Sequence, residues 1–307
     1  MITVFTPTYN RADLLRRLYQ SLKAQTDKDF EWLIVDDGST DTTADVVHLM
    51  IEESLFPIRY IYKSNGGKHT AINRGVKEAA GELFFIADSD DCLPVNALQD
   101  VRFAWMSVED KYNYAGVCGL DGKLGTEDII GSGFNHLDRL QQLDMNGHRV
   151  SYIDGTNIEI RYCKRLTGDM KEVFRTDVLR EFSFPEIEGE KFCPEVLVWN
   201  RIARKYKLRY FDKVIYLAEY QEGGLTDCIT RARMESPVAS ALTYQEIMTY
   251  DDIPVIQKAK SAINYWRFRM CKKAGDGQIP QLAWYWNVMM PFGWLMHKRD
   301  LQVVKRK

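Results

Sequence analysis

Short apolar runs alternate with helical patterns along the first ninety residues. The continuous apolar runs cover residues 2–6, 32–35, 58–62 and 83–87. Leu14, Leu18 and Leu22 recur at helical spacing after the first run, and the spacing predicts a further helix over 68–80. Apolar strands without polar alternation, separated by helices, are typical of a parallel sheet covered on both faces. The pattern therefore predicts a doubly wound α/β fold.

The rest of the chain is less regular, but it shows one further strand pattern and a helical C-terminal region. We predict a helix over 194–206, a strand over 208–217 and helices again from about residue 234. Because no repeat or low-complexity linker separates the two halves, we expect them to share one sheet. The predicted units are a main domain over 1–225, divided into halves over 1–95 and 96–225, and a C-terminal helical region over 226–307.

Composition and charge exclude several classes of protein. With 45% hydrophobic and 27% charged residues, the chain has the balance of a folded globular protein. Its 41 Lys and Arg against 43 Asp and Glu give a net charge of -2, so we expect no binding to bulk nucleic acid. The six cysteines form no Cys-x-x-Cys pair, which argues against a zinc cluster and favours a reducing compartment. No basic segment or cleavage site accompanies the first apolar run, and we therefore expect a cytoplasmic protein.

Polar or acidic residues follow each of the four predicted strands. In an open parallel sheet, ligands bind outside the carboxyl ends of the strands. A single Asp-Gly pair is usually only a turn, but four polar segments in register are typical of a ligand-binding rim. These segments cover residues 7–11, 36–41, 65–68 and 88–91.

The last of these segments predicts a divalent metal. Three carboxylates within 88–91 would repel one another unless a cation neutralised them, and oxygen ligands favour Mn2+ or Mg2+. The acidic clusters lack the spacing of a calcium-binding EF-hand loop. The sequence also excludes a Walker phosphate loop, because His69 follows Lys68 where Ser or Thr is required. No Gly-x-Gly-x-x-Gly follows the first strand, so a dinucleotide oxidoreductase has no support.

The motifs at 6–11, 35–41, 65–75 and 88–91 together resemble those of the family 2 glycosyltransferases. The resemblance covers roughly the first hundred residues. It implies a GT-A type, doubly wound and mainly parallel sheet flanked by helices, here with a C-terminal helical segment. It also implies an inverting, metal-dependent enzyme, with the donor bound in the first half and the acceptor in the second. The expected activity is transfer of a sugar, most simply from a UDP-sugar, to a hydroxyl of a glycan or lipid-linked acceptor in bacterial cell-surface polysaccharide synthesis.

The resemblance also implies roles for individual residues. Asp36 is expected to accept a hydrogen bond from uracil, and Asp88 to face the ribose or the donor sugar. Asp90 is the expected metal ligand, with Asp91 as an alternative. The expected nucleotide-binding residues are Pro7, Thr8, Tyr9, Asn10, Arg11, Asp36, Gly67, Lys68, Asn73, Asp88 and Ser89.

The family requires an acidic general base at the start of a helix, and Glu195 is the candidate here. It stands directly before an apolar helical stretch, after Pro194 at a first-turn position. The alternative explanation is that a carboxylate there merely complements the helix dipole. Glu190 is the second candidate for the base and Asp169 a third.

The C-terminal residues 277–296 carry no charge, are rich in aromatic side chains, and precede the basic residues 297–299 and 305–307. Prolines and glycines in this stretch disfavour a spanning helix. The composition leaves two main hypotheses open. Either 277–307 lies on the inner face of a membrane as a peripheral contact, or it packs as an ordinary helix on the protein.

Two other functions are compatible with the same fold. A sugar nucleotidyltransferase would need a Gly-rich loop with Arg and Lys after the first strand, which 7–11 does not resemble. A non-catalytic nucleotide-sugar-binding protein would not need the full acidic set of Asp36, Asp88, Asp90 and Glu195. The leading interpretation is therefore a glycosyltransferase.

Overall fold

The structure, a computed structural model, describes residues 1–126, 128–134, 140–143, 147–219 and 225–304. The chain forms two compact units. The first, called the sheet unit below, contains Met1–Asn65, Ala71–Ser183 and Ile202–Glu219. The second, called the helical unit, contains Gly66–Thr70, Phe184–Arg201 and Tyr220–Lys307. The limits predicted at 225 and 226 stay a prediction.

The described strands and helices follow the alternation predicted for the first ninety residues and continue beyond it. The strands are β1 (Ile2–Thr8), β2 (Phe30–Asp36), β3 (Ile58–Tyr62), β4 (Leu83–Ile86), β5 (Tyr114–Lys123), β6 (Leu140–Leu143), β7 (Arg149–Gly155), β8 (Met170–Arg175) and β9 (Lys207–Ala218). The helices are α1 (Ala12–Lys23), α2 (Thr43–Glu53), α3 (Lys68–Glu78), α4 (Ala97–Met106), α5 (Thr176–Glu181), α6 (Glu195–Ala203), α7 (Leu225–Glu235), α8 (Pro237–Thr249), α9 (Val255–Arg269) and α10 (Met290–Val304). Single turns of other helix types occur at Lys111–Asn113, Glu159–Cys163 and Trp284–Met289.

All nine described strands belong to one sheet of order β3-β2-β1-β4-β8-β5-β9-β7-β6. The first four are parallel, and β9 is parallel to β5. Strand β8 runs antiparallel between β4 and β5, and β7 and β6 extend the sheet in antiparallel fashion beyond β9. The predicted doubly wound α/β fold class is confirmed, and so is the single shared sheet.

Burial explains why the first strands read as continuous apolar runs. Every residue of β2 and β4 is buried, because the connecting helices cover both faces of the sheet. The rings of Phe5 and Phe84 stack at 4.9 Å, and each such buried side chain contributes about 1.5–3 kcal/mol to stability. The buried indole of Trp32 donates a hydrogen bond to Thr6 Oγ1 at 2.9 Å, so its polar atom is satisfied inside the core.

The helical unit has its own apolar core between α8 and α9, which includes Val238, Ala262 and Tyr265. Helix α10 packs on α9, and their contact includes a two-pronged ion pair in which Arg267 Nη2 lies 2.8 Å from Asp300 Oδ1. Both side chains are nearly buried, so the pair fixes the approach of α10. In the described part of the chain, none of the helices has the length and apolar character needed to span a membrane.

Candidate functional site

The loop after β1 joins the segments that follow β2 and β4. Asn10 adopts a left-handed conformation with φ of 52°, which Asn tolerates better than most residues. Its side-chain oxygen accepts a hydrogen bond from the backbone N–H of Thr40 at 2.8 Å, and its own backbone N–H donates to Ser39 Oγ at 2.8 Å. On the other side, Arg11 Nη1 lies 3.2 Å from Asp90 Oδ2. Because β1 lies between β2 and β4, this loop braces both neighbouring segments.

Asp36 is fully buried at the end of β2 and organises the following turn. Its Oδ1 accepts the Ser39 amide at 2.7 Å, and its Oδ2 accepts the Tyr60 hydroxyl at 2.6 Å. Burial, together with Asp36, raises the pKa of the Tyr60 hydroxyl, so Tyr60 stays a donor. Each carboxylate oxygen has two acceptor positions, so the two oxygens of Asp36 keep one further position each for a hydrogen bond from a ligand.

The last residue of β1 and the residue after it present groups suited to a ligand. Thr8 pairs with Asp36 in the parallel register, and no described atom hydrogen-bonds to its buried Oγ1. Tyr9 follows directly and exposes 48% of its surface. An exposed ring beside an unsatisfied hydroxyl is compatible with base stacking and one hydrogen bond.

The acidic segment after β4 does not gather its carboxylates at one point. Asp91 is buried, and its two oxygens accept the Tyr216 hydroxyl at 2.7 Å and the Glu219 amide at 3.0 Å. Burial, and next the charge of Asp88, raises the pKa of Asp91 to about 6. Arg17 donates to the carbonyl oxygen of Asp90. The repulsion that the sequence predicted between the carboxylates is therefore offset in part by hydrogen bonds from other groups of the protein.

These contacts bear on the choice of a metal ligand. Asp91 is committed to the protein, whereas the Asp90 side chain is 23% exposed and its contact with Arg11 leaves acceptor positions. Within the described residues, no cluster of three or more His, Cys, Asp or Glu side chains could hold a metal. Asp90 therefore fits the role of a single protein ligand to Mn2+ or Mg2+, which commonly takes its other ligands from phosphates and water.

The structure adds one acid that sequence reasoning missed, Asp121 near the carboxyl end of β5. Asp121 is only 5% exposed, and no described group donates a hydrogen bond to its Oδ1. Burial raises its pKa to about 7, although the nearby Lys171 opposes that shift. Lys171 Nζ lies 3.4 Å from the centroid of the Tyr216 ring, and Tyr216 is the Cα partner of Asp121 in β9. In the sequence, Asp121 could have been noticed as an isolated acid near the end of an otherwise apolar strand.

In the helical unit, the segment 66–70 holds Lys68 at the start of α3. Gly67 has φ of +93°, and a Cβ on it would lie 1.9 Å from the carbonyl oxygen of Lys191. Only glycine permits that approach. Lys68 Nζ lies 3.0 Å from Glu195 Oε1, with side-chain exposures of 30% and 38%. Glu195 is the first residue of α6, one residue after the predicted start of that helix.

The other candidate bases lie in different settings. Both Glu190 oxygens accept backbone amides of α8, from Val238 at 2.6 Å and Ala239 at 2.8 Å. Glu190 is buried, which raises its pKa, and it caps that helix. Asp169 is exposed in the turn before β8, where its charge acts on Asp121.

The predicted site residues divide between the two units. The helical unit holds Gly67, Lys68 and Glu195. The sheet unit holds the remaining predicted residues, namely Pro7, Thr8, Tyr9, Asn10, Arg11, Asp36, Asn73, Asp88, Ser89 and Asp90. Of these, Asn73 and Ser89 are buried. The backbone N–H of Asp88 donates a hydrogen bond to the Tyr216 hydroxyl oxygen at 2.8 Å.

Residues 3–118 match the model of the family described as "Glycosyl transferase family 2". An "Uncharacterized glycosyltransferase" of Nostoc sp. is 39% identical over 100 residues, which are 33% of this chain and 31% of that protein. The Staphylococcus aureus "Poly(ribitol-phosphate) beta-N-acetylglucosaminyltransferase TarP" is 30% identical over 134 residues, 43% of this chain and 38% of that protein. The matched segments thus span only about a third of these relatives.

Solved structures extend the likeness over most of the chain. Residues 1–349 of S. aureus TarS, solved in complex with UDP-GlcNAc, superpose with a TM-score of 0.58 at 21% identity, covering 88% of this chain and 72% of that one. The mannosyltransferase PcManGT of Pyrobaculum calidifontis, solved with GDP-Man and Mn2+, gives 0.57 at 18% identity, covering 98% and 86%. At these identities the likeness confirms the expected fold.

Proposed function

We propose that this chain, whose residues 3–118 match glycosyl transferase family 2, is an enzyme that transfers a sugar from a nucleotide-sugar donor to an acceptor hydroxyl. The observation that carries the proposal is that the loop after β1 is fixed by contacts to both neighbouring segments. Asn10 ties the loop to the turn after β2, and Arg11 ties it to Asp90 after β4. This arrangement gives the carboxyl edge of the sheet a preformed polar rim, where ligands of such folds bind.

The nucleotide is proposed to lie on that rim. Asp36 is positioned by Ser39 and Tyr60 and keeps acceptor capacity for an N–H group such as that of uracil. Tyr9 offers an exposed ring to the base, and the unsatisfied Thr8 Oγ1 offers a hydrogen bond. We favour a UDP-sugar, and the GDP-Man complex of PcManGT makes a GDP-sugar the alternative donor.

Asp90 is the proposed protein ligand to a divalent cation, Mn2+ or Mg2+. When bound, the cation would offset the negative charge that develops on the departing diphosphate. Arg11 contacts the same carboxylate, which holds Asp90 in place. Asp91 is proposed to act only on the local structure, because the protein already uses both its oxygens.

Glu195 is the proposed general base. It would take the proton from the acceptor hydroxyl as that oxygen attacks the anomeric carbon. Attack from the face opposite the leaving diphosphate inverts the configuration, so an α-linked donor would give a β-glycoside. The hydrogen bonds that Glu190 makes to α8 leave Glu195 as the better candidate of the two. Lys68 is proposed to attract the donor diphosphate with its positive charge.

The acceptor is proposed to be a hydroxyl of a glycan or a lipid-linked polymer in bacterial cell-surface polysaccharide synthesis. The name of TarP, a poly(ribitol-phosphate) glycosyltransferase, supports a polymeric acceptor of this kind. We also propose a cytoplasmic location, where nucleotide sugars are available.

The proposal is tested by calorimetric titration of UDP and GDP into the protein with and without Mn2+, using Asp90→Asn as the critical variant. Asp45→Asn, which changes an exposed acid on α2, is the matched control. We expect Mn2+-dependent binding of UDP that Asp90→Asn abolishes and Asp45→Asn retains. Absence of binding by both nucleotides, or equal binding by the two variants, would contradict the proposed donor site.

The reaction products separate the alternative functions. A glycosyltransferase releases UDP from a UDP-sugar when an acceptor is present, and a sugar nucleotidyltransferase releases pyrophosphate from a nucleoside triphosphate. A binding protein without catalysis releases neither.

A further inference from the structure

The C-terminal part of the helical unit exposes a row of large apolar side chains. Six of them, called the aromatic face below, occupy the turn Trp284–Met289 and the start of α10. Their exposed fractions range from 51% to 81%. They are Trp284, Tyr285, Val288, Phe292, Trp294 and Leu295.

The same segment is firmly packed on its other side. Trp286 and Met289 pack against the core of the helical unit. Gly293 is buried, and a Cβ on it would lie 2.5 Å from Trp266 Cβ, so α10 approaches α9 closely. The ion pair between Arg267 and Asp300 secures the next turns of α10. The aromatic face is therefore the exposed part of an anchored segment that comprises the turn Trp284–Met289 and the start of α10.

This amount of exposed apolar surface is unusual for a protein without a partner. A Trp or Tyr side chain presents roughly 150–250 Å² when fully accessible, so six large side chains at half exposure or more offer several hundred Å². Contiguous apolar patches of that size on soluble proteins usually mark a binding surface.

The charge around the aromatic face indicates the chemistry of the partner. Residues 255–304 contain eight Lys and Arg and two Asp, a net charge of +6, whereas the whole chain has a net charge of -2. Lys272, Lys273, Lys298 and Arg299 are exposed, and Lys298 Nζ lies 5.7 Å from the centroid of the Trp294 ring. A second copy would bring a like charge against this surface, which disfavours self-association. An anionic surface is attracted to it.

We propose that the aromatic face binds the surface of an anionic lipid bilayer. The rings would enter the headgroup region, where Trp and Tyr are favoured, while the neighbouring Lys and Arg side chains contact lipid phosphates. Binding of the bilayer does not depend on the proposed function. The consequence of that binding does depend on the proposed function. A transferase held on the bilayer would encounter a lipid-linked acceptor by diffusion in the plane of the membrane.

The test is flotation of the full chain with vesicles of phosphatidylcholine alone and of phosphatidylcholine with phosphatidylglycerol at 7:3. We expect binding to the anionic vesicles alone, weakened by 0.5 M NaCl. The variant Trp284→Ser/Trp294→Ser should lose about tenfold or more in affinity through lost apolar burial. Lys298→Gln/Arg299→Gln should lose about 25-fold in affinity, because each basic residue near such a surface strengthens binding about fivefold.

The matched control is Leu55→Ser/Tyr112→Ser, which removes two side chains of the sheet unit that are 100% and 81% exposed. It should float like the unmodified protein. Circular dichroism and thermal unfolding of each variant report whether the protein remains folded, and neither measurement depends on the proposed nucleotide site. Failure of the unmodified chain to bind anionic vesicles, or equal binding by all variants, overturns the proposal. A dimer in light scattering that the Trp variant dissociates would assign the face to a second copy and also overturn it.

Discussion

Lys68 Nζ lies 3.0 Å from Glu195 Oε1, which joins the first residue of α3 to the first residue of α6 within the helical unit. Glu195 complements the dipole of its helix, but a lysine at a helix start does not. Because both side chains are about a third exposed, the pair contributes at most about 1 kcal/mol to stability. We therefore expect removal of either charge to change function more than folding.

Replacing Glu195 with Gln should abolish sugar transfer while UDP binding remains. The amide cannot take the proton from the acceptor hydroxyl, so we expect turnover to fall by about 10²–10⁴-fold. The measurement is UDP release from a UDP-sugar in the presence of acceptor, with UDP titration on the same sample. Glu188→Gln, an exposed acid on the same segment, should retain full turnover. Near-normal activity of Glu195→Gln would exclude Glu195 as the base.

Replacing Lys68 with Met should weaken the binding of UDP by about tenfold and leave the binding of uridine unchanged. The reason is that a lysine charge contributes to affinity only through the phosphates. Titrations of both ligands measure the difference directly. Lys77→Met changes an exposed lysine further along α3 and serves as the control. An equal loss for uridine would show that Lys68 acts on the fold of its segment and not on the diphosphate.

Replacing Asp121 with Asn should stabilise the protein, increasingly so as the pH rises. Burial raises the pKa of Asp121 from 3.8 to about 7, so between these values the folded protein keeps a proton that the unfolded chain has released. Stability therefore falls as pH rises through this window, and Asn removes the effect. Urea unfolding at pH 5 and pH 8 should show the advantage of the variant growing by about 2 to 3 kcal/mol. Asp128→Asn, an exposed acid nearby, should show no such growth.

Replacing Gly67 with Ala should destabilise the helical unit and weaken UDP binding. A left-handed conformation alone costs a non-glycine residue about 1–2 kcal/mol, and the new Cβ would also lie 1.9 Å from Lys191 O. Gly189→Ala is the matched control, since Gly189 has φ of +80° but a Cβ on it would meet no atom of the described chain within 4 Å. Thermal unfolding of both variants separates conformational strain from the steric clash. Equal losses would mean that the close approach to Lys191 carries no cost.

Elements buried on both faces were predictable from the sequence. The predicted strand over 83–87 corresponds to β4 (Leu83–Ile86), and the helix over 68–80 to α3 (Lys68–Glu78). Such elements depend on continuous apolar runs or on helical spacing, which are local properties of the chain. The predicted helix over 194–206 corresponds to α6 (Glu195–Ala203), and its start was predictable to within one residue because Pro194 and Glu195 are both favoured at the beginning of a helix.

Strands that depend on partners distant in the sequence could not be predicted. Glycines interrupt the apolar residues of β5, and a Cβ on Gly116 would lie 2.1 Å from the Val173 carbonyl oxygen of β8, so glycine is required inside the sheet. Strand β6 (Leu140–Leu143) has no buried residue and hence no apolar face to detect. The contact of Asp91 with Tyr216 joins residues 125 positions apart, and no local pattern indicates it.

The position of β8 determines when during synthesis the family-matching region can become complete. Strand β4 has β8 as its neighbour on one side, and β5 lies between β8 and β9, so residues 83–123 depend on partners that follow residue 169 in the chain. A nascent chain ending near residue 118 would leave an apolar strand with an open hydrogen-bonding edge. On the ribosome, the first four strands therefore await the emergence of Arg175 before β4 gains its second neighbour, and a fragment that ends near residue 118 would be prone to aggregate.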